Sequence, residues 1–239
     1  MRFVLEQFEF PYEVVFASDI DRGALASKYD VLILPDDASF IVGDSTRGFE
    51  FRGQPPRERV PEQWRNRLGR MSVEASIPRI RQFVENGGTL LAIGDASAVA
   101  YRLGLQVADA LVGEDGKPLT RAKYYVPGSV LSVAVDTTSA LGWGLGPRTD
   151  IFFDNNPAFR LKPEAMSSGV RRVAWFDSAA PLRSGWAWGQ NVLNDAAQVV
   201  VAPMGKGEAI LYGPQVHFRG QTHGAFPLLF NGIYFGQLQ

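Results

Sequence analysis

The chain has 239 residues, 46% of them hydrophobic, enough to bury a substantial core as one large domain or two small ones and to exclude disorder as its main theme. Its 24 Lys and Arg nearly balance 25 Asp and Glu, so a formal charge of -1 sets up no global field for nucleic acid or an anionic membrane surface. The lack of cysteine removes disulfides, thiolate zinc sites, Fe–S clusters and any cysteine nucleophile, and leaves the compartment open.

The opening MRFVLEQFEF carries one Arg and then acidic residues in place of a long apolar run, and no stretch approaches the roughly 20 apolar residues of a spanning helix. The expectation is a soluble chain with no signal peptide. Phe3, Val4, Phe8 and Phe10 predict a short helix that Pro11 ends. YEVVF (12–16) is a strand candidate and YDVLILPDD a stronger one, because an uninterrupted apolar run such as Val31–Leu34 reads as a strand covered on both faces, hence in a parallel sheet. Residues 37–71, containing GDSTRGFEFRGQPPRERVPEQWRNRLGR, form a long polar insertion loop of the kind that is functional or mobile. SVEASIPRIRQFVENGG then predicts a helix with Ser72 as N-cap, Glu74 in its first turn and Gly87 and Gly88 at its end. TLLAIG is the next strand, and the alternation is that of a doubly wound α/β domain with a mostly parallel sheet. Such a unit normally opens with a strand, whereas this chain opens in a helix. The inference is that a first strand, with further polypeptide, lies upstream of Met1; the alternative is a variant sheet without it.

From Tyr124 the character turns to β. YYVPGSVLSVAVD, DIFFDNNPAF, VRRVAWFD, AQVVVAPM and GEAILYG are strand candidates within a β-rich part over 124–213, the last two joined by a tight hairpin at Gly205 and Lys206. LGWGLGPRTD, with Gly142, Gly144 and Gly146, lacks the strand-then-helix context of a dinucleotide loop and reads as a loop; no phosphate loop occurs, so no nucleotide cofactor is expected. The tail HGAFPLLFNGIYFGQL reads as a closing helix, with Phe226, Phe230, Tyr234 and Phe235 at core spacing. The whole of 1–239 is read as a single domain.

Three groups of residues could carry chemistry. In TLLAIGDASAVAYRLGL a strand breaks at Gly94 and restarts as a helix, the form of a nucleophile elbow, G-x-Nuc-x-G. The nucleophile slot holds Ala96, Ser97 is displaced by one residue, and Asp95 is placed to cap the following helix or to line a ligand site. GPQVHFRGQTHGAF follows a strand end, where α/β folds gather ligands, and offers His217, Arg219, Gln221 and His223. No third zinc ligand lies at short spacing, so no metal is expected, and for His217 a structural or ligand-bonding role outweighs that of general base. In PLRSGWAWGQ, Trp186 and Trp188 on one strand face could stack on a sugar or peptide side chain beside Arg183 and Gln190; core packing or a domain interface is the plainer reading. DNNPAF is turn chemistry, although Asp154 could line the same cleft.

The segments FVLEQFEFPYEVV, YDVLILPD, RQFVENGGTLLAIGD, YYVPGSVLSVAVD, DIFFDNNPAFRL, RVAWFDS, PLRSGWAWGQ and GKGEAILYGPQVHFRGQTHGAFPLLFNGIYFG carry a resemblance over nearly the whole chain. It resembles the class I glutamine amidotransferase-like domain at the C-terminus of bacterial zinc carboxypeptidase-like proteins of the carboxypeptidase A type. The resemblance implies a flavodoxin-like fold, an upstream peptidase domain in a longer polypeptide, exported or periplasmic, and in the active relatives an elbow cysteine and a His-x-Glu after the last strand. Here those places hold Ala96 and His217-Phe218-Arg219, and the H-x-x-E of a zinc carboxypeptidase is absent too. The leading reading is a noncatalytic accessory domain that binds a peptide, a glycan or a partner domain, with no role for nucleic acid or membrane. The alternatives are a serine-type hydrolase using Ser97 with His217, and a structural or oligomerisation module similar to the amidotransferase-like domain of some β-galactosidases.

Overall fold

A computed structural model describes residues 1–39, 41–42 and 54–235. In chain order the described elements are α1 (Arg2–Gln7), α2 (Ala17–Arg22), β1 (Val31–Leu34), β2 (Ile41–Val42), β3 (Met71–Ser72), α3 (Ser76–Glu85), β4 (Thr89–Ile93), α4 (Val99–Arg102), β5 (Val107–Asp109), β6 (Ser129–Val135), β7 (Arg148–Phe153), β8 (Phe159–Leu161), β9 (Arg171–Trp175), β10 (Leu182–Ser184), β11 (Ala197–Met204), β12 (Gly207–Tyr212) and α5 (Phe226–Phe235).

A mixed α/β sheet of ten strands runs in the order β1-β4-β12-β11-β9-β6-β10; β7 pairs with β6, β8 with β11, and β5 with β8. β1, β4 and β12 are mutually parallel, and every other pairing in this sheet is antiparallel. The expected mostly parallel sheet is therefore corrected to a partly parallel one. The parallel part ends where the crossover helices end, because parallel neighbours need long crossovers whereas antiparallel ones need only a turn. At the β11–β12 turn Gly205 adopts φ +62, and a Cβ there would fall 2.7 Å from backbone atoms of Glu85, so glycine is needed for both the bend and the close approach.

Two cores flank the sheet. α1 and α5 cover one face, on which Leu91, Ile93, Ile210, Tyr212, Val199 and Val201 point inward. α3 and α4 cover the other, onto which the alternate residues Leu90, Ala92, Ala209, Leu211, Val200 and Ala202 point. α3 is held by Ile77, Ile80, Phe83 and Val84, all buried at helical spacing, and ends as expected at Gly87 (φ +111), with the Gly88 N–H donating to the Phe83 carbonyl at 3.0 Å.

Several sequence expectations need amendment. α3 starts at Ser76: Ser72 belongs to β3, and its hydroxyl accepts from the Ala75 N–H at 3.0 Å ahead of the helix. YEVVF forms neither helix nor strand; residues 12–16 line a cleft of ≈ 920 Å³ together with β1, and no strand pairing of theirs occurs among the described residues. Of the 37–71 insertion, residues 40 and 43–53 lie outside the described residues, while the rest supplies short 3-10 turns (Arg57–Arg59, Glu62–Arg67) and the β2–β3 pair. The closing helix forms, but Tyr234 is exposed at its end, its ring tilted against Phe10 with ring centres 5.2 Å apart. Among the described residues no helix is long and apolar enough to cross a membrane.

Candidate functional site

The carboxyl ends of the three parallel strands meet around one carboxylate. Asp36, two residues beyond β1, accepts the Asp95 N–H at 2.7 Å on Oδ1 and the Gln215 amide at 2.9 Å on Oδ2. It thereby ties the turn after β4 and the loop after β12 to the end of β1. Gly94 permits this: at φ +58 a side chain is strained, and a Cβ would stand 1.9 Å from Asp36 Oδ1. The strand-turn-helix bend read from the sequence is thus present, but Asp95 does not cap it with its side chain; it lies in the first turn of a 3-10 segment (Gly94–Ala98), and Asp36 takes its N–H.

Ala96 in the nucleophile slot is buried. Ser97 is fully buried, and its hydroxyl donates to the Gly94 carbonyl at 2.6 Å, a local bond that directs the oxygen back into the turn. His217 is buried beyond β12, and its Nδ1 has no hydrogen-bond partner. Burial, and secondarily the Met1 ammonium, push its pKa down to about 4, so the imidazole is neutral at neutral pH. No hydrogen bond joins Ser97 to His217 among the described residues. Nor do three His, Asp or Glu side chains converge there to hold a metal ion.

A second feature is a groove of ≈ 890 Å³ on β6 and β7, bordered by Phe218 and by Gln221, Thr222, His223 and Gly224. Phe218 stacks flat on Phe152, with ring centres 3.7 Å apart and planes 9° apart. Arg148 holds Asp177 through two hydrogen bonds of 2.5 and 2.7 Å, which lowers the Asp177 carboxyl pKa, and Arg183 lies 3.6 Å from Asp150. Gln221 and His223 complete the lining, so the groove holds Gln221 and Arg183 together with the Phe152–Phe218 aromatic stack.

The other candidates lie elsewhere. Arg219, exposed at φ +49, places its guanidinium 5.0 Å from the Phe218 ring centre, outside the groove lining. Trp186 and Trp188, about half exposed, follow β10 and so lie off the strand. Trp186 meets Tyr125 edge to face at 5.8 Å, and the Trp188 indole donates to the Ala122 carbonyl at 2.8 Å. Asp154 is exposed in a turn, where its N–H donates to Asn156 and its carboxylate accepts from Asn155. Asp36, Gln215, Arg148, Asp150 and Phe152 escaped the sequence reading. Asp36 alone had a local signal, a carboxylate two residues past a fully apolar strand.

The partly parallel sheet, with its bend after β4, is consistent with a class I glutamine amidotransferase-like fold. No protein-family model matches the chain, and no curated protein matches it. Among solved structures, a cytoplasmic protein of Salmonella typhimurium LT2 is 14% identical, over 96% of this chain and 84% of that one, with a TM-score of 0.53; the likeness is one of fold. A second cytoplasmic protein of Salmonella typhimurium is 16% identical over 93% of this chain and 76% of its own, with a TM-score of 0.48. The β-galactosidase of Bacillus circulans sp. alkalophilus is 10% identical over 70% of this chain and 24% of its own, with a TM-score of 0.41.

Proposed function

We propose that the chain is a class I glutamine amidotransferase-like domain without amidotransferase chemistry, acting as an accessory binding domain of a zinc carboxypeptidase-like polypeptide. The observation that carries the first part is the bend after β4: a methyl group fills the nucleophile slot, and the neighbouring hydroxyl is donated to Gly94. Acyl transfer needs a nucleophile within hydrogen-bond reach of a base that a third group orients. Ser97 and His217 make no such pair, and Arg219 stands where an orienting carboxylate belongs. The link to a carboxypeptidase rests on the sequence resemblance alone.

The groove over β6 and β7 supports a binding role. Its charged and amide groups suit a polar chain such as a peptide or a glycan, which the Phe152–Phe218 stack would border with apolar surface. The test pairs turnover with binding. Ammonia release from glutamine and hydrolysis of p-nitrophenyl acetate should stay at the buffer rate, while calorimetric titration with peptide and oligosaccharide panels should give a binding signal that Arg183→Ala weakens about tenfold. Hydrolysis that Ser97→Ala abolishes would refute the noncatalytic reading, and a panel without binding would refute the accessory one.

A further inference from the structure

β7 is an edge strand among the described residues: β6 pairs with it along one side, and no strand pairs with it along the other. The Val135 N–H donates to the Pro147 carbonyl at 2.9 Å, one position ahead of β7, and this bond fixes the alternation of the ladder. Thr149, Ile151 and Phe153 turn their backbone groups toward β6, whereas Arg148, Asp150 and Phe152 turn theirs away from it. Those outward N–H and C=O groups make no hydrogen bond among the described residues. Such a row is a template for pairing with another chain, and β7 keeps it over a strand six residues long.

The groove of ≈ 890 Å³ is lined without a gap by residues 148–152. The 218–224 segment that borders it is attached to β7 through side chains: the Phe218 ring stacks on Phe152, and the Thr149 hydroxyl donates to the Gly224 carbonyl at 3.1 Å. Its own backbone bonds are local turns, such as those from the Gly220 N–H to the His217 carbonyl at 3.0 Å and from the Gln221 N–H to the Phe218 carbonyl at 2.9 Å. None of these contacts uses the outward row of β7.

Outward groups at alternate strand positions recur about every 6.8 Å, twice the rise of about 3.4 Å per residue. An extended peptide repeats its own donors and acceptors at that spacing, which the hydroxyls of a glycan do not. Five extended residues, in strands about 4.8 Å apart with about 10 Å of side-chain thickness, occupy about 800 Å³, which the groove can hold. The lining is graded along its length. Val130 stands opposite Phe152, so with Phe218 that end is apolar, while Ser132 stands opposite Asp150 and leads toward Arg148. Among the charged lining residues the arginines 148 and 183 outnumber the single carboxylate of Asp150, and the Arg183 side chain makes no hydrogen bond among the described residues. An acidic side chain therefore suits the Arg148 end.

We propose that the ligand of this groove is an extended peptide, added antiparallel to β7 through the outward backbone groups of Arg148, Asp150 and Phe152, with an apolar side chain opposite Phe152 and an acidic one opposite Arg148. This rests on the reading of the groove as a binding site and narrows its ligand class. Main-chain bonds supply affinity and alternate side chains supply selectivity, and antiparallel pairing is the more stable direction per residue. The charged side chains of Arg148 and Asp150 on the edge oppose the alternative of sheet-to-sheet pairing with a second copy.

The test titrates the 239-residue chain by calorimetry with the peptide Ac-Thr-Phe-Thr-Thr-Thr-Glu-Thr-amide. In the paired register its fourth residue turns its N–H toward Asp150, and its fifth turns its N–H away from β7. N-methylation of the fourth should weaken binding about tenfold or more and N-methylation of the fifth less than about threefold, and bound peptide should slow amide exchange at Asp150 and Phe152 about tenfold or more. Asp150→Pro removes one outward N–H, a change edge strands tolerate, and should weaken binding well beyond Asp150→Ala. The methylated peptides decide the matter even if the proline variant does not fold. Equal affinities for the two methylated peptides, or unchanged exchange at both amides with peptide bound, overturn the proposal. So does light scattering that shows a dimer of the free chain with both amides already protected, which assigns the edge to a second copy. Oligosaccharide binding that Arg183→Ala weakens, without peptide binding, overturns this inference and leaves the accessory reading standing, whereas silence from both ligand classes overturns both.

Discussion

Replacing Gly94 by alanine probes the junction that organises the carboxyl end of the sheet. The left-handed backbone costs a residue with a Cβ about 1–2 kcal/mol. The new Cβ would stand 1.9 Å from Asp36 Oδ1, so the carboxylate must withdraw from the Asp95 N–H, forfeiting a charge-assisted hydrogen bond of about 1.5–3 kcal/mol. Together these predict a loss of about 3–4 kcal/mol, which at about 2–4 °C per kcal/mol for a chain of this size lowers Tm by on the order of 10 °C. Thermal and urea unfolding of Gly94→Ala, Asp36→Ala and the double variant checks the cause as well as the size. Removing the Asp36 side chain makes room for the Cβ, so the double variant should be more stable than the sum of the single losses predicts, by about 1–2 kcal/mol. A Gly94→Ala protein within about 2 °C of the parent, or strictly additive losses, would refute the reasoning.

Two further outcomes follow from the same geometry. Folded His217 has a pKa of about 4 against about 6.5 unfolded, because burial, then the Met1 ammonium, disfavours the imidazolium. Its contribution is fully present above about pH 6.5 and is lost as pH falls toward 4, where only the unfolded chain gains the proton, by at most about 3 kcal/mol. Urea unfolding of His217→Asn at pH 7 and pH 5 should lack that decline, and an unchanged decline would refute the assignment. Gly189→Ala would place a Cβ 1.9 Å from the Lys123 carbonyl oxygen at φ +67, in the turn behind Trp186 and Trp188. A loss of about 2 kcal/mol or more with a shift in tryptophan emission is expected, and an unshifted spectrum with parental stability would count against it.

Local pattern carried much of the architecture. The runs at β1, β4, β11 and β12 and the i, i+3, i+7 spacing of Ile77, Ile80 and Val84 specify element type by themselves, and the tight Gly205-Lys206 turn was visible as a dipeptide. Sheet direction was less legible, because a buried strand reads the same whether its neighbour runs parallel or antiparallel; only the loss of crossover helices after residue 124 distinguishes the two. YEVVF has the composition of a strand, yet strand structure requires a neighbour within bonding distance, which no local sequence encodes. The candidate site failed for a similar reason. Asp36 and Gln215 are 179 positions apart, and their hydrogen bond exists only because β1, β4 and β12 lie side by side. Ala96 was readable as a missing nucleophile, whereas the inward turn of the Ser97 hydroxyl depended on the backbone at Gly94.

The alternation of β12 between two layers has a consequence for how the chain chooses among compact arrangements. The Tyr212 hydroxyl donates to the Leu228 carbonyl of α5 at 2.9 Å, while Leu211 beside it points toward α3. Sliding β12 by one position against β4 would exchange these destinations, burying a phenol with no acceptor on the α3 side and leaving Leu228 without its donor. Selection of the correct β12 alignment and recruitment of the last helix are therefore coupled through the Tyr212–Leu228 hydrogen bond.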